Sequence, residues 1–113
     1  MNISDELVRQ FDADGFLIVE RILTNEHVDC LLAAMERLRK GICTRDIRPL
    51  AQRLPIQPVG TNTTFSFYFN ARVVDAEVWD IATDSGLGLA AARLLQTPSV
   101  SLIEDQLDRK SVV

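Results

Sequence analysis

The sequence predicts an α+β fold, on three observations. Two stretches near the start carry apolar residues at helical spacing behind good capping residues, as does a pair of shorter ones later on. Between and after them lie short runs rich in β-branched and aromatic residues, too brief for helices. At 113 residues, 47% of them hydrophobic and 25% charged, the chain has the composition of one soluble globular domain or a piece of one.

Ser4 followed by Asp5 and Glu6 marks a helix start, because the Ser oxygen can accept from a free backbone N–H and the carboxylates meet the positive end of the dipole. Ile3 and Val8 are spaced as a hydrophobic staple, Leu7, Val8 and Phe11 form the stripe, and Gly15 supplies the left-handed stop. The predicted helix covers residues 5 to 14. Phe16-Leu17-Ile18-Val19 follows as a predicted strand. Thr24 then caps a second helix of sixteen residues, stapled by Leu23 and Val28, with Val28, Leu31, Leu32, Met35 and Leu38 as its apolar face. Arg37, Arg39 and Lys40 suit its negative end, and Gly41 closes it.

From Ile42 to Gly60 the periodicity stops, and Pro49, Pro55, Pro58 and Gly60 predict an irregular connection. Its basic group, Arg45, Arg48 and Arg53, reads either as a solvated loop or as a surface facing an anion. Thr61 to Asn70 alternates as a strand, with Phe65, Phe67 and Phe69 on one face and assigned to core packing. Asp75 caps a short helix through Val78, Trp79 and Ala82. Asp84 or Ser85 starts another, carrying Leu87, Leu89, Ala90, Leu94 and Leu95, which Pro98 ends. The last predicted strand is Ser99 to Lys110. Val100, Leu102, Glu104, Gln106, Asp108 and Lys110 share one of its sides, apolar first and polar later. Such a gradient fits a strand leaving a core for a polar pocket, and it fits one that emerges into water. The organisation expected is a single partial domain over 1–113: a helical buttress at 1–41, the connection at 42–60, and a strand–helix–strand part at 61–110.

Composition narrows the function. The net charge is −4 with basic residues scattered among acids, which gives nucleic acid or an anionic membrane no basic stripe to bind. No run of about 18 apolar residues spans a bilayer, and Asp5, Glu6 and Arg9 interrupt any signal core, so a cytoplasmic location is expected. Cys30 and Cys43, thirteen positions apart without neighbouring His, read as free thiols. His27 is the single histidine, on the opening turn of the second helix as a solvent-facing or capping residue. One imidazole cannot complete a two-His, one-carboxylate iron site, and no serine stands in a nucleophile turn to complement it.

The order of helix, Asp-Gly-Phe-Leu-Ile-Val, capped amphipathic helix, long connection and Ala-Arg-Leu-Leu-Gln-Thr-Pro-Ser-Val-Ser-Leu-Ile-Glu-Asp-Gln-Leu-x-x-Lys resembles the amino-terminal part of the phytanoyl-CoA dioxygenase family. The residues that carry the resemblance are Phe11, Asp14, Gly15, Phe16, Leu17 and Val19, then Leu94, Leu95, Pro98, Val100, Leu102, Asp105, Gln106, Leu107 and Lys110. What it implies is an iron(II)- and 2-oxoglutarate-dependent oxygenase acting on small organic substrates. The implied architecture is a double-stranded β-helix, a jelly roll, with the amino-terminal helices packed on its first strands. By the family pattern Gln106 and Lys110 project toward the co-substrate or substrate pocket, Lys110 as a cation for a carboxylate. Asp108 departs from the large apolar residue common at its position. The family's His-x-Asp pair, second His and co-substrate Arg have no counterpart in these residues, which implies a truncated or partial member, inactive by itself and binding neither cofactor alone. Two alternatives remain: one half of a split oxygenase, or a non-enzymatic module whose final strand edge pairs with a partner chain.

Overall fold

The computed structural model describes residues 2–48 and 65–110, the side chains of 65–67 and 109–110 excepted, and among these residues there are four α-helices and two strands. The elements run α1 (Asp5–Asp14), α2 (Asn25–Arg39), β1 (Phe65–Phe69), a 3₁₀ turn (Ala71–Val73), α3 (Ala76–Asp84), α4 (Leu87–Leu95) and β2 (Gln106–Lys110). The α+β class predicted from periodicity is the class observed.

Local chemistry sets the helix ends. Ser4 accepts from the Leu7 N–H at the start of α1, and Gly15, at φ 78°, ends it by donating to the Phe11 carbonyl. Thr24 opens α2 with a reciprocal cap: its Oγ1 accepts from His27 N at 3.0 Å, and His27 Nδ1 accepts from Thr24 N at 3.2 Å. The imidazole here does what Glu or Gln does in the usual capping box. At the other end Gly41 (φ 73°) donates to Leu38 and Ile42 donates to Arg37, the two bonds of a Schellman closure. Asp75 caps α3 through the Glu77 and Val78 amides. Gly86, at φ 92°, stands at the cap of α4, so that helix begins one or two residues later than Asp84 or Ser85 would start it. Its end comes at Gln96, in the left-handed region at φ 54°, two residues before Pro98.

The core lies where α2, the 3₁₀ turn, α3 and the sheet meet: Ala34, Leu38, Tyr68, Ala71, Val74 and Val78, with Leu31, Met35, Val73 and Leu107 against them. Two predicted faces shift as a result. On α2, Ala34 and Leu38 are buried while Val28 and Leu32 are exposed, because α3 covers only the stripe that Ala34 and Leu38 share. In β1, Tyr68 is buried at 3% exposure and Phe69 lies 47% exposed, so Tyr68 fills the core and Phe69, assigned to core packing, leaves it. The phenol is pushed up in pKa by that burial. The assignments of the Phe65 and Phe67 side chains fall outside the described residues, as do those of Thr61–Thr64, of Arg53 and of the rest of the connection beyond Arg48.

The α4 helix packs against both α1 and α3. Ala90 and Ala92, about 200° apart around its axis, are both buried for that reason, whereas Leu89 and Leu95 are exposed. Small residues allow two close neighbours where leucines would hold them off.

The sheet has two antiparallel strands, with Phe65 opposite Lys110, Tyr68 opposite Leu107 and Phe69 opposite Gln106. Two strand predictions are corrected. Phe16–Val19 forms no strand among the described residues; Leu17 and Val19 are half-buried, and Phe16 and Ile18 are exposed. The final strand comprises only Gln106–Lys110, because β1 stops at Phe69 and leaves Ser99–Asp105 without a ladder partner among the described residues. The apolar start of that stretch is not in the core either: Val100, Leu102 and Ile103 are exposed, and Leu107 is the residue of this segment that reaches the core. No helix among the described residues is long and apolar enough to cross a membrane.

Candidate functional site

The outward face of β2 and the polar cluster at its start form the candidate site. Because side chains alternate along a strand, Leu107 turning to the core sends Gln106 and Asp108 the other way, and both are exposed. Gln106 Nε2 donates to Asp108 Oδ2 at 3.0 Å, so one of its amide hydrogens is engaged. Lys110 lies on the same face by register, opposite Phe65. The role the resemblance gives to its side chain falls outside the described residues.

Immediately before Gln106, Asp105 is drawn into a dense network. Its Oδ1 accepts from Ala71 N at 3.0 Å and its Oδ2 from Arg72 N at 3.2 Å and Arg72 Nη1 at 3.1 Å. Arg72 Nη1 also donates to Asn70 Oδ1 at 2.8 Å. The carboxylate thus caps the 3₁₀ turn and pairs with a half-buried guanidinium at once. Sequence reasoning missed Asn70 and Arg72. Asn at a strand end is a signal for the left-handed conformation it adopts here (φ 56°), but nothing local links it to an aspartate so far along the chain.

A second cluster joins α2 to α3. Arg37 grips Asp75 with two bonds, Nε to Oδ2 at 3.0 Å and Nη2 to Oδ1 at 3.1 Å, and reaches Glu77 at 3.6 Å. Asp75 is fully buried, and its hydrogen bond to Arg37 raises the guanidinium's affinity for its proton. Cys30, on the same side of α2, has its thiol pushed up in pKa by the hydrogen bond to Glu77, by burial and by the nearby acids. Both cysteines are free thiols, as the spacing predicts.

The basic group of the connection divides. Arg48 pairs with Asp46 at 2.7 Å, and Arg45 stacks over the Trp79 ring at 4.2 Å from its centroid. The two guanidinium groups are thus held by a carboxylate and an indole. Between α1 and α4 an open cleft of about 210 Å³ is lined by Asp5, Val8, Arg9, Asp12, Arg93 and Gln96, with Asp5 and Arg93 paired across it.

Exposed charges also follow simple rules. Arg39 hydrogen-bonds Glu36 one turn earlier, and with Lys40 nearby it holds that carboxyl at about 2, against an ordinary 4.5. A depressed carboxyl favours the folded chain above its unfolded pKa, so this contribution is complete above pH 4.5 and disappears as pH falls toward 2. A carboxyl-carbon NMR titration should place the Glu36 midpoint near 2 in the native chain and move it up toward 4.5 in Arg39→Ala, where Lys40 alone remains beside it.

The donor set does not suit iron. Both oxygens of Asp105 are taken by N–H groups, Asp108 accepts from Gln106, and His27 Nδ1 is spent on the α2 cap. Among the described residues no three of His, Cys, Asp and Glu converge as a metal-holding group. Compared with known proteins, the chain matches no family model, no curated protein and no solved structure.

Proposed function

We propose that these residues are the helical buttress and first strand pair of an iron(II)- and 2-oxoglutarate-dependent oxygenase of the phytanoyl-CoA dioxygenase type. In this reading the chain is cytoplasmic and packs under a jelly roll whose iron ligands are supplied by residues outside these 113. Gln106 and Lys110 line the co-substrate pocket, Lys110 pairing with a carboxylate, and the substrate is a small organic molecule.

The observation that supports the reading is the meeting of its two halves. The front segment that carries the resemblance includes the end of α1, the back segment begins at Leu94 and Leu95 on α4, and these two helices pack together, tied by Asp5 and Arg93. From there the back segment runs on into β2, which presents Gln106 outward.

The test is succinate release from 2-oxoglutarate with ferrous iron. The chain alone should give none. Combined with a polypeptide that carries the family's His-x-Asp pair, second His and Arg, it should give iron-dependent succinate, and Lys110→Ala should lower that rate by about tenfold or more through loss of a charge-assisted hydrogen bond. Tight stoichiometric ferrous binding with turnover by the chain alone would overturn the proposal, as would an inert combination.

A further inference from the structure

The register of the β1–β2 ladder needs an explanation, because neither usual source of register is present. Residues 70–105, with two helices among them, separate the strands, so no tight turn sets the pairing. Nor does hydrophobic pattern set it strongly: β2 reads Gln-Leu-Asp-Arg-Lys, with Leu107 its only apolar residue. A slip of one residue would turn Leu107 outward and Gln106 and Asp108 inward.

We infer that Asn70 and Asp105 form a clasp that sets this register, which makes Asp105 the positioning residue for the outward face of β2. The two residues bond reciprocally beside the last ladder pair, Phe69–Gln106. Asn70 N donates to the Asp105 carbonyl at 2.8 Å, and Asp105 N donates to Asn70 Oδ1 at 3.3 Å. Asp105 is then pinned from its other end by the amides of Ala71 and Arg72 and by the Arg72 guanidinium. Its side chain is only 14% exposed, so water competes weakly for these oxygens. The left-handed φ of Asn70 turns the chain sharply after β1, bringing those two amides round to the carboxylate. A slipped register would move Asp105 by about 3.4 Å and break all of these bonds together.

The clasp determines which face of β2 turns outward; it rests on the proposed function only in naming that face a co-substrate pocket. The experiment therefore reads register directly, on the whole isotope-labelled chain, without iron or co-substrate. Native cross-strand NMR contacts should join Tyr68 to Leu107 and Phe69 to Gln106. In Asp105→Ala, and in Asn70→Gly, which keeps the left-handed turn but removes the side-chain acceptor, these contacts should give way to shifted or averaged ones. Amide exchange in β2 should accelerate by about tenfold or more while the helical amides stay as they were. Asp105→Asn, which keeps one acceptor oxygen, should fall between. Native cross-strand contacts in both Asp105→Ala and Asn70→Gly would overturn the inference. So would loss of the helices in all three variants, since the residues would then support the core as a whole. A retained register effect with no succinate in the reconstituted assay would leave the clasp standing and remove the oxygenase reading.

Discussion

Asp75→Ala should lower the unfolding free energy by about 3–5 kcal/mol, the cost of leaving a partly buried charge without its partner. Asp75 is completely enclosed, caps α3 through two amides and receives both arms of the Arg37 guanidinium. Its removal strands Arg37, which is 23% exposed and has only the longer contact to Glu77 to fall back on. It also leaves the first amides of α3 unpaired, a loss worth about 1 kcal/mol at a typical cap. Asp75→Asn keeps a capping oxygen and should lose less. Arg37→Met in the Asp75→Ala background should recover part of the loss by removing the stranded charge. Urea unfolding of the native chain, Asp75→Ala, Arg37→Met and the double variant, with unchanged slopes, would measure the coupling. A cycle that sums additively would mean that Arg37 and Asp75 do not depend on each other.

Leu38→Ala should cost about 3 kcal/mol, within the range for large-to-small changes in a close-packed core. Leu38 is 1% exposed and sits in the cluster shared by α2, the 3₁₀ turn, α3 and Tyr68, where its removal leaves a cavity among close-packed neighbours. Leu32→Ala, six residues earlier on the exposed face of the same helix, serves as its control and should cost well under 1 kcal/mol. Thermal unfolding of both variants separates the buried position from the exposed one.

The contrast between these leucines shows what the sequence could and could not tell. Helix existence and ends were legible because the caps are local: Ser4, Thr24, Asp75, Gly15 and Gly41 act on amides and carbonyls within a turn of themselves. Which helical face is buried depends on neighbours that are distant in sequence, and α2 offered more apolar residues than α3 covers. Phe16–Val19 reads as a strand because it is a short run of large and β-branched residues, yet a strand is defined by its partner, and none is present among the described residues. Tyr68 was passed over because three phenylalanines around it outweighed one phenol, although the alternation itself is blind to which phase faces inward.

The candidate site was half legible. That Gln106 and Asp108 share a face follows from the two-residue period, and the resemblance singled out Gln106; that this face is the outward one is set by Leu107 packing against the core. The network before it was hidden, since Asn70, Arg72 and Asp105 are ordinary polar residues until the fold brings them within 3 Å or so of one another. His27, by contrast, was legible: read as a capping or solvent-facing residue on the opening turn, it accepts from the Thr24 amide as part of the α2 cap.

The separation of the two strands bears on how the protein is made. A ribosome adding about 5–20 residues per second needs some seconds after finishing β1 to finish β2. Throughout that interval Phe-Ser-Phe-Tyr-Phe, uncharged and rich in β-formers, waits without its mate, the kind of segment that seeds intermolecular association. A nascent chain halted just after α4 should therefore be a better client for holdase chaperones than one halted past β2.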